Sequence, residues 1–306
     1  MNIHFAPLQG YTEAPYRDAH SAIFGGVDTY YTPFVRLEKG EFRNRERRDV
    51  EPENNHVPHL VPQLIASDAT KAETILALFI EKEYREVSIN LGCPFPILAK
   101  RHNGSGMLPY PEEVKTLLDI VSRYPEIRFS VKMRLGWEQP EECLALAPIL
   151  NELPLQYVTL HPRLGCQQYK GAVDMEGFEA FCRVCEKPIL YNGDILTVED
   201  IRQVEERFPS LAGIMIGRGM LANPALGVEY KEGRTLSSDE MREKIRALHT
   251  AVYSRYEQQL QGGDEQLLNK IKPFWEYLAP QLDRKTWKAI HKSTSLNKYQ
   301  AAVRLV

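Results

Sequence analysis

The sequence predicts an α/β fold, a (β/α)8 barrel of the TIM type, followed by an all-helical domain at the C-terminus. Short apolar, β-branched segments recur eight times over roughly 220 residues, and most are separated by segments of helical periodicity. Near Leu236 this alternation stops and only helical patterns follow. A chain of 306 residues is long enough for one barrel and a small appendage. We therefore expect a barrel domain over residues 1–235 and a helical domain over residues 236–306.

The predicted strands combine β-branched and aromatic residues and are bounded by turn-forming residues. They cover residues 3–6, 29–34, 59–65, 86–90, 128–134, 156–161, 188–192 and 213–217. The predicted barrel helices cover residues 69–83, 111–123, 141–150, 174–182 and 198–207. A doubly wound sheet is the alternative, but the fingerprint G-x-G-x-x-G is absent after the first strand.

Beyond the barrel, helical patterns cover residues 241–259, 265–277, 284–292 and 298–305, with Gly262, Gly263 and Pro280 between them. Within the barrel, the charged segment 38–57 is predicted to be a long loop after the second strand. Residues 231–306 carry 14 Lys+Arg and 9 Asp+Glu, whereas the rest of the chain carries 24 and 32. A basic tail on an acidic body is compatible with docking of an anionic polymer.

The N-terminus shows no signal-peptide pattern, and no apolar run is long enough to span a membrane. We therefore expect a cytoplasmic protein without membrane association, with its five cysteines as reduced thiols. Cys182 and Cys185 form a C-x-x-C, but there is no second such pair and the histidines lie far away in sequence. We expect a chance pair on a helix and no metal site.

Polar residues cluster at the predicted C-terminal ends of the strands, where a β/α barrel carries its active site. Each residue alone is explained equally well as a turn former or as hydrogen-bonded scaffold. Together they mark seven of the eight strand ends, from Gln9 after the first strand to Arg218 after the eighth. Glycines follow the last two strands at Gly193, Gly217 and Gly219, where barrels commonly bind a phosphate through backbone N–H groups. These features predict a ligand that carries a phosphate, either substrate or cofactor.

A set of motifs occurs in one order between Phe5 and Asn223: APLQGYTEAPYR, VPQLI, NLGCP, VKMRLGW, HPRLGCQQYKG, YNGDI and GIMIGRGML. Together they resemble the tRNA-dihydrouridine synthase family. The resemblance implies a flavoenzyme that holds FMN in the mouth of the barrel, is re-reduced by NADPH and reduces a uridine of tRNA. It also implies that the C-terminal helical domain helps to hold the tRNA.

Carried over position by position, the resemblance also implies a flavin site. The residues lining the flavin or bonding its ring edge would be Pro7, Leu8, Gln9, Gln63 and Asn90. Lys132 would face the edge of the ring on which negative charge gathers during reduction. An ion pair inside the barrel is the alternative for this lysine. The residues holding the ribityl chain and phosphate would be His161, Asn192, Gly193, Asp194, Gly217 and Arg218.

Cys93 is the expected catalytic residue. Hydride addition to C6 of uracil builds negative charge toward C5, so an acid must protonate C5. A thiol with an ordinary pKa is mostly protonated near neutrality and can donate that proton. The alternative, an inert packed cysteine, is disfavoured because Cys93 lies between Gly92 and Pro94 on a loop. The uracil must leave the base stack of the tRNA to reach the flavin.

The loop after Cys93 departs from the family pattern. Many members have a lysine a few residues after G-C-P, whereas residues 95–98 here read F-P-I-L and Lys100 comes later. The N-G-S-G-M-L that follows is a variant of the family's small-residue loop. We therefore expect the closing motion of this loop, or its contacts with the base, to differ.

The segment Thr32-Pro33-Phe34-Val35-Arg36 and the pair Lys270 and Lys272 resemble the bacterial C-type subfamily, which modifies the uridine at position 16 in the D-loop of tRNA. Under that resemblance the residues expected to touch the tRNA are Arg36, Arg134, Arg163, Lys270, Lys272, Tyr277 and Lys292. A solvated helical face is the alternative for each single lysine. We expect a monomer that does not bind DNA.

Two other functions stay open at this point. A barrel aldolase or isomerase would form a Schiff base between Lys132 and a phosphorylated sugar, but would have no use for Cys93 or the helical tail. A binding protein that retains affinity for FMN or RNA without turnover is the other alternative.

Overall fold

Eight parallel strands close into a barrel, which confirms the predicted fold class. The computed structural model describes residues 1–306. The barrel strands, in chain order, are Ile3–Phe5, Thr29–Tyr31, Leu60–Val61 with Gln63–Leu64, Glu86–Leu91, Arg128–Gly136, Leu155–Leu164, Ile189–Tyr191 and Gly213–Ile216. Each pairs with its neighbours in sequence, and the first strand also pairs with the eighth, so that the sheet closes. All strand carboxyl ends therefore meet at one mouth.

The third strand is divided at Pro62, which the sequence pattern did not reveal. Its first part, Leu60–Val61, pairs with the second strand, and its second part, Gln63–Leu64, pairs with the fourth strand. Proline has no N–H to donate to the ladder, which explains the interruption. The Pro62 carbonyl still accepts the N–H of Ser88 over 2.9 Å, so that the barrel remains closed at this point.

The outer helices of the barrel are Ala14–Ile23, Ala69–Glu81, Pro111–Leu118, Ile120–Arg123, Glu142–Glu152, Met175–Val184, Val198–Arg207 and Leu226–Glu232. The five predicted segments are helical, with residues 111–123 divided into two helices, whereas the first and last of the eight were not predicted. Three of the helices begin at residues whose side chains cap them. The side chains of Asp68, Asp174 and Thr197 each accept the backbone N–H three residues later. Short helices Pro96–Ala99 and Arg218–Ala222 and the 3-10 turn Gly104–Met107 lie in the loops at the mouth.

The prediction of a long loop over residues 38–57 is wrong. A hairpin pairs Leu37–Glu38 with Glu41–Phe42, helix Asn44–Asp49 follows, and a 3-10 turn spans Pro52–Asn54. The helix buries two carboxylates, Glu46 and Asp49, instead of an apolar stripe. The inward-facing side chains of this helix are acids that bond to the barrel. Hydrophobic periodicity therefore gives no signal for a helix here.

The region after Leu236 is helical, as predicted. It contains helices Ser238–Gln259, Gly263–Ile271, Arg284–His291 and Leu296–Val303, with 3-10 turns Lys272–Trp275 and Ala279–Gln281. Trp275 Nε1 donates to the Tyr299 hydroxyl over 2.8 Å, and this hydroxyl lies 2.7 Å from His249 Nε2. Helix Ser238–Gln259 packs along the first barrel helix, where Arg255 pairs with Asp18 at 2.6 Å. The helical region is thereby fixed beside the first and second strands of the barrel.

None of the helices combines the length and the apolar character needed to cross a membrane. All five cysteines are free thiols, and no group of three or more His, Cys, Asp and Glu side chains is arranged to hold a metal ion.

Candidate active site

The mouth of the barrel opens into a cavity of about 420 Å³, within the size range of cofactor sites. Cys93 lines it together with all twelve residues predicted to hold the cofactor. These are Pro7, Leu8, Gln9, Gln63, Asn90, Lys132, His161, Asn192, Gly193, Asp194, Gly217 and Arg218. The charged lining consists of Lys132, Arg134 and Arg218 against the single carboxylate of Asp194. The cavity therefore favours an anionic ligand.

Asp194, after the seventh strand, joins two arginines at one end of the cavity. Its Oδ1 accepts from Arg163 at 2.8 Å and from Arg218 at 2.9 Å. The hydrogen bond from Arg163 holds the pKa of the Asp194 carboxyl below its usual range. Asp194 adopts φ 43°, a left-handed conformation that Asp tolerates better than most residues. The backbone turn and the two guanidinium groups thus fix the carboxylate in place.

His161, at the end of the sixth strand, is a neutral imidazole with a defined tautomer. Arg163 Nη1 lies 3.2 Å from His161 Nε2, and a guanidinium can only donate, so Nε2 is the acceptor and the proton is on Nδ1. Burial and the nearby positive charge of Arg134 and Lys132 hold its pKa well below the usual value. Nδ1–H has no partner in the protein and is available to donate to a ligand.

Backbone N–H groups lie at the same end of the cavity. Gly217 precedes helix Arg218–Ala222, whose first N–H groups have no acceptor within the helix. A Cβ at Gly217 would meet only the side chains of Ala6 and Leu8, both at 3.5 Å. At Gly219, by contrast, a Cβ would overlap the Ile195 carbonyl oxygen, so glycine is required there. With Arg218 beside them, these N–H groups can bind a phosphate.

Lys132, inside the fifth strand, projects into the cavity without an ion-pair or hydrogen-bond partner. Its alternative interpretation as a member of an ion pair inside the barrel is therefore wrong. Burial and the neighbouring positive charge of Arg134 lower the pKa of Lys132 to about 7. A buried ammonium without a counter-ion is unfavourable unless an anion is bound beside it.

Gln63, Asn90 and Cys93 are connected by hydrogen bonds across the third and fourth strands. Asn90 Nδ2 donates to Gln63 Oε1 over 2.7 Å, and Gln63 Nε2 donates to Ser88 Oγ over 3.2 Å. Asn90 Oδ1 accepts the backbone N–H groups of Gly92 and Cys93 at 3.0 and 2.9 Å. Each amide keeps one N–H free to face a ligand. The side chains predicted to bond a flavin edge therefore also hold the cysteine loop.

The loop that follows Cys93 folds back onto it. Ser105 donates both its backbone N–H and its hydroxyl to the Cys93 carbonyl oxygen, at 3.1 and 2.9 Å. Gly104 adopts φ 59°, and a Cβ there would lie 2.7 Å from the same oxygen and 2.9 Å from Cys93 Cβ. Arg134 Nε donates to the Gly92 carbonyl at 3.0 Å. Although its sequence departs from the family pattern, this loop is tightly attached to the cysteine.

The Cys93 thiol is protonated near neutral pH. Burial raises its pKa, and the positive charge of Arg134, Lys132 and Arg36 only partly opposes this rise. The side chain is partly exposed at the mouth and lines the same cavity as Lys132. A neutral thiol beside a cationic cavity can donate a proton to a substrate bound above it.

The dihydrouridine synthase model, described as "Dihydrouridine synthase (Dus)", matches residues 4–304 of this chain. The chain belongs to the dihydrouridine synthase family. The match includes the helical region after the barrel, which the motifs between Phe5 and Asn223 did not reach. The resemblance inferred from the motifs is thereby confirmed.

Curated relatives carry names from this family. The tRNA-dihydrouridine(16) synthase of Pseudomonas syringae pv. tomato is 30% identical over 240 residues, which are 74% of this chain and 73% of the relative. The tRNA-dihydrouridine synthase B of Pasteurella multocida is 26% identical over 231 residues, 73% of this chain and 67% of the relative. Among solved structures, morphinone reductase superposes with a TM-score of 0.52 at 13% identity, covering 78% of this chain and 88% of that one. This last similarity shows the barrel fold alone.

The seven residues predicted to touch the tRNA differ in their surroundings, and three of them lie at the cavity or next to it. Tyr277 and Arg134 line the cavity of this family member, and Tyr277 packs edge-on against Tyr11 with ring centroids 5.1 Å apart. Arg36 lies beside the mouth, partly exposed. Contact with tRNA stays a prediction for all three.

Two of the predicted tRNA contacts are buried arginines that bond backbone carbonyls of the site. Arg134 bonds the carbonyls of Gly92, Leu164 and Gln168 through Nε and Nη1. Arg163 is 2% exposed and bonds the Gly171 carbonyl besides Asp194. Both side chains hold loops of the site in place, and their contact with tRNA stays a prediction.

The three lysines of the helical region lie outside the cavity. Lys270 pairs with Glu13 at 2.7 Å and lies over the Tyr256 ring, and Lys272 Nζ donates to the Ser293 carbonyl at 3.0 Å. Lys292 is exposed. Contact of these three lysines with tRNA therefore stays a prediction.

Sequence reasoning missed several residues of the mouth. Tyr169 is 51% exposed, with the Arg218 guanidinium 4.5 Å and the Arg134 guanidinium 5.4 Å from its ring centre. Phe95 is 53% exposed and lines the cavity two residues after Cys93. The conformation of a loop decides which of its side chains face the cavity, and the sequence pattern does not show this conformation. The only sequence signal for Tyr169 was therefore its place in the motif HPRLGCQQYKG.

Proposed function

We propose that this protein is a tRNA-dihydrouridine synthase that uses FMN and NADPH to reduce the C5=C6 bond of a D-loop uridine in tRNA. The observation that carries the proposal is the joint placement of a neutral Cys93 thiol and an unpaired Lys132 in one cavity. The family match and the names of the relatives support it.

The residues of the cavity fit a flavin that carries a phosphate. One end of the cavity can bind an anion through Gly217, Arg218 and the Nδ1–H of His161. Deeper in the cavity, Lys132 supplies a cation that has no partner in the protein. Gln63 and Asn90 each keep an amide N–H for the polar edge of the ring. When bound, the flavin would supply the hydride that adds to C6 of uracil.

The chain's own residues then complete the reduction. Cys93 donates the proton that C5 needs once negative charge builds there, and Asn90 fixes the height of the thiol through its bond to the Cys93 N–H. Lys132 would stabilise negative charge on a flavin bound in the cavity, since an ammonium in a partly buried site acts at low effective dielectric.

The substrate must be an everted nucleotide, because a cavity at the barrel mouth cannot admit a stacked base. Tyr277 and Tyr169 line the cavity with aromatic rings on which a base can stack. Arg36, Lys270, Lys272 and Lys292, which lie outside the cavity, would contact the tRNA backbone. We assign the reduced uridine to position 16. The segment 32–36 resembles the C-type subfamily, and a relative with 30% identity carries the name tRNA-dihydrouridine(16) synthase.

In this proposal residues 1–235 hold the flavin and the reacting base, and residues 236–306 hold the tRNA. The protein would work as a cytoplasmic monomer. The ion pair between Arg255 and Asp18 attaches its helical region to the first barrel helix, so that the two parts would hold flavin and tRNA in a fixed arrangement.

The Schiff-base alternative is favoured by one observation, the pKa of about 7 for an unpaired Lys132. It leaves Cys93 and the family match unexplained. Borohydride reduction in the presence of a sugar phosphate separates the two, because only an aldolase would become covalently labelled at Lys132.

The decisive experiment maps dihydrouridine by mass spectrometry in tRNA from cells with and without the gene. We expect loss of dihydrouridine at position 16 alone. The purified protein should be yellow, bind FMN and form dihydrouridine in unmodified tRNA with NADPH. A colourless protein that does not take up added FMN would contradict the proposal, and a yellow protein without turnover would indicate a binding protein.

A further inference from the structure

In segment 41–49 the fold places the acids of the helix and its arginines on opposite sides, which the net charge of the segment does not show. The segment contains four arginines and three carboxylic acids, so its net charge from composition is only slightly positive. In the fold, the two acids of the helix, Glu46 and Asp49, are 4% and 8% exposed, whereas Arg45 and Arg47 point outward. The third acid, Glu41, is exposed in the hairpin before the helix. Helix Asn44–Asp49 therefore carries its negative charge inward and its positive charge outward.

The buried carboxylates are used by the barrel itself. Glu46 Oε2 accepts the backbone N–H of Arg36 at 3.1 Å. Asp49 accepts the N–H of Ala14 at 2.6 Å and pairs with Arg17 at 3.0 Å. These bonds fix the helix against the first barrel helix and against the segment after the second strand. Of the outer arginines, only Arg45 has a contact with one of these acids, and it is at the limit of an ion pair, 4.0 Å from Glu46.

The outward arginines have few partners of their own. Arg43 is paired with Glu38. Arg45 is 51% exposed and its only carboxylate contact, with Glu46, is at 4.0 Å, while Arg47 lies over the Phe42 ring at 6.0 Å. Arg48 forms no ion pair. We call Arg45, Arg47 and Arg48 the arginine surface.

The arginine surface lies between the mouth of the barrel and the helical region. On one side, the Arg36 N–H that bonds to Glu46 follows Pro33 and Phe34, which line the cavity. On the other side, Arg45 and Arg48 border a cleft with Glu13 and with Gln259, at the end of the first C-terminal helix. Glu13 in turn pairs with Lys270. Helix Asn44–Asp49 therefore contacts the segment at the mouth on one side and borders the helical region on the other.

We propose that the arginine surface binds phosphate groups of the tRNA whose uridine enters the cavity. This inference rests on the proposed function and names a second contact for its substrate. Guanidinium groups match phosphate oxygens with paired hydrogen bonds, and unpaired arginines near the entry point are suited to the backbone that flanks an everted nucleotide. The contact is with phosphate and carries no base specificity.

The test compares two triple variants that lose the same charge. Arg45→Gln/Arg47→Gln/Arg48→Gln removes the arginine surface. Arg123→Gln/Arg183→Gln/Arg207→Gln removes exposed arginines near the C-terminal ends of outer helices, which lie at the opposite end of the barrel because those helices run antiparallel to the strands. Binding of an unmodified tRNA transcript is measured over a range of salt concentrations for both variants and the parent.

We expect the first variant to bind the transcript at least roughly tenfold more weakly near 0.1 M salt, with a slope of log affinity against log salt reduced by about 2. The control should match the parent. Replacing the same three arginines by lysine should restore most of the slope, since the charge returns, and FMN content should be equal in all variants.

Equal binding and equal slopes for the first variant and the parent would overturn the inference, as would equal weakening in both triple variants. Loss of binding to phosphatidylglycerol vesicles with unchanged tRNA affinity would assign the surface to a membrane and also overturn it. A parent that binds tRNA through these arginines yet forms no dihydrouridine would refute the proposed function and leave this inference standing.

Discussion

Asn90 Oδ1 accepts the backbone N–H of Cys93 over 2.9 Å, so a side chain inside the barrel fixes the position of the thiol at its mouth. The same oxygen accepts the N–H of Gly92, and Asn90 Nδ2 donates to Gln63. The cysteine loop is therefore held from below by the fourth strand and from above by Ser105. Proton transfer to a substrate atom depends on such a fixed distance.

Replacing Asn90 by leucine should lower kcat by at least about tenfold, because the N–H groups of Gly92 and Cys93 lose their acceptor and the thiol is no longer held at one height. Steady-state rates at saturating tRNA measure the effect. Ser88→Ala serves as the control, since it removes the far end of the same network without touching the loop. Equal kcat for Asn90→Leu and the parent would show that Ser105 and Arg134 position the loop without Asn90.

Cys93→Ser should lower the rate of uridine reduction by about 100-fold or more, because a hydroxyl is a much weaker acid than a thiol. Reduction of the flavin by NADPH should be unchanged. Burial raises the pKa of the thiol, so the neutral, donating form should persist in the parent until the pH passes above the ordinary thiol range. A pH profile of the single-turnover rate should show this alkaline loss in the parent and not in Cys93→Ser.

Lys132→Met should stabilise the flavin-free protein and weaken its function. The pKa of about 7 in the folded state lies below the ordinary lysine value, so the unfolded chain binds more protons between pH 7 and about 10. The unpaired lysine therefore destabilises the fold fully at pH 7 and below, and less as the pH rises. We expect the gain in Tm of Lys132→Met to be largest near pH 7 and to shrink toward pH 10.

The same variant should bind FMN more weakly and hold a flavin that is harder to reduce, because the cavity would lose the cation proposed to stabilise the reduced ring. Thermal scans of the flavin-free protein and a redox titration of the loaded one separate the two effects. Unchanged stability at both pH values would mean that Lys132 is solvated. An unchanged flavin potential would mean that it does not face the ring.

The barrel and most of its site residues could be predicted because their signals are local. Strands such as Glu86–Leu91 are continuous apolar runs, and their last residues fall at the mouth by the geometry of the fold. Asn90, Cys93 and Lys132 were placed correctly in the cavity for this reason. The motifs then supplied roles that periodicity alone does not contain.

What could not be predicted depends on contacts between distant segments. Helix Asn44–Asp49 was missed because its inward face consists of Glu46 and Asp49, whose partners Arg36 and Ala14 lie elsewhere in the sequence. Arg163 was expected at the substrate, but its partner Asp194 lies 31 residues further along the chain. Ion pairs of this kind leave no period in the sequence, so burial of a charged residue cannot be inferred from its neighbours.

Asp194→Asn should destabilise the protein moderately while leaving the phosphate end of the cavity positively charged. Removing the carboxylate leaves the Arg163 guanidinium, which is 2% exposed, without its counter-ion. Because Asp194 itself is 36% exposed, solvent screens part of the pair, and we expect a cost of about 1–2 kcal/mol. Because the pKa of Asp194 is lowered by Arg163, the stabilisation is present above the ordinary Asp range and is lost as the pH falls through the lowered value. Urea unfolding at pH 7 and at pH 3 should show a clear difference between variant and parent at pH 7 and a smaller one at pH 3.

Arg218→Gln is the matched control, because the Arg218 guanidinium, unlike that of Arg163, is 32% exposed and stays solvated when its bond to Asp194 is lost. This loss should cost less than about 1 kcal/mol and should instead weaken FMN binding. If the two variants lose equal stability, the pair between Asp194 and Arg163 does not hold this end of the site together.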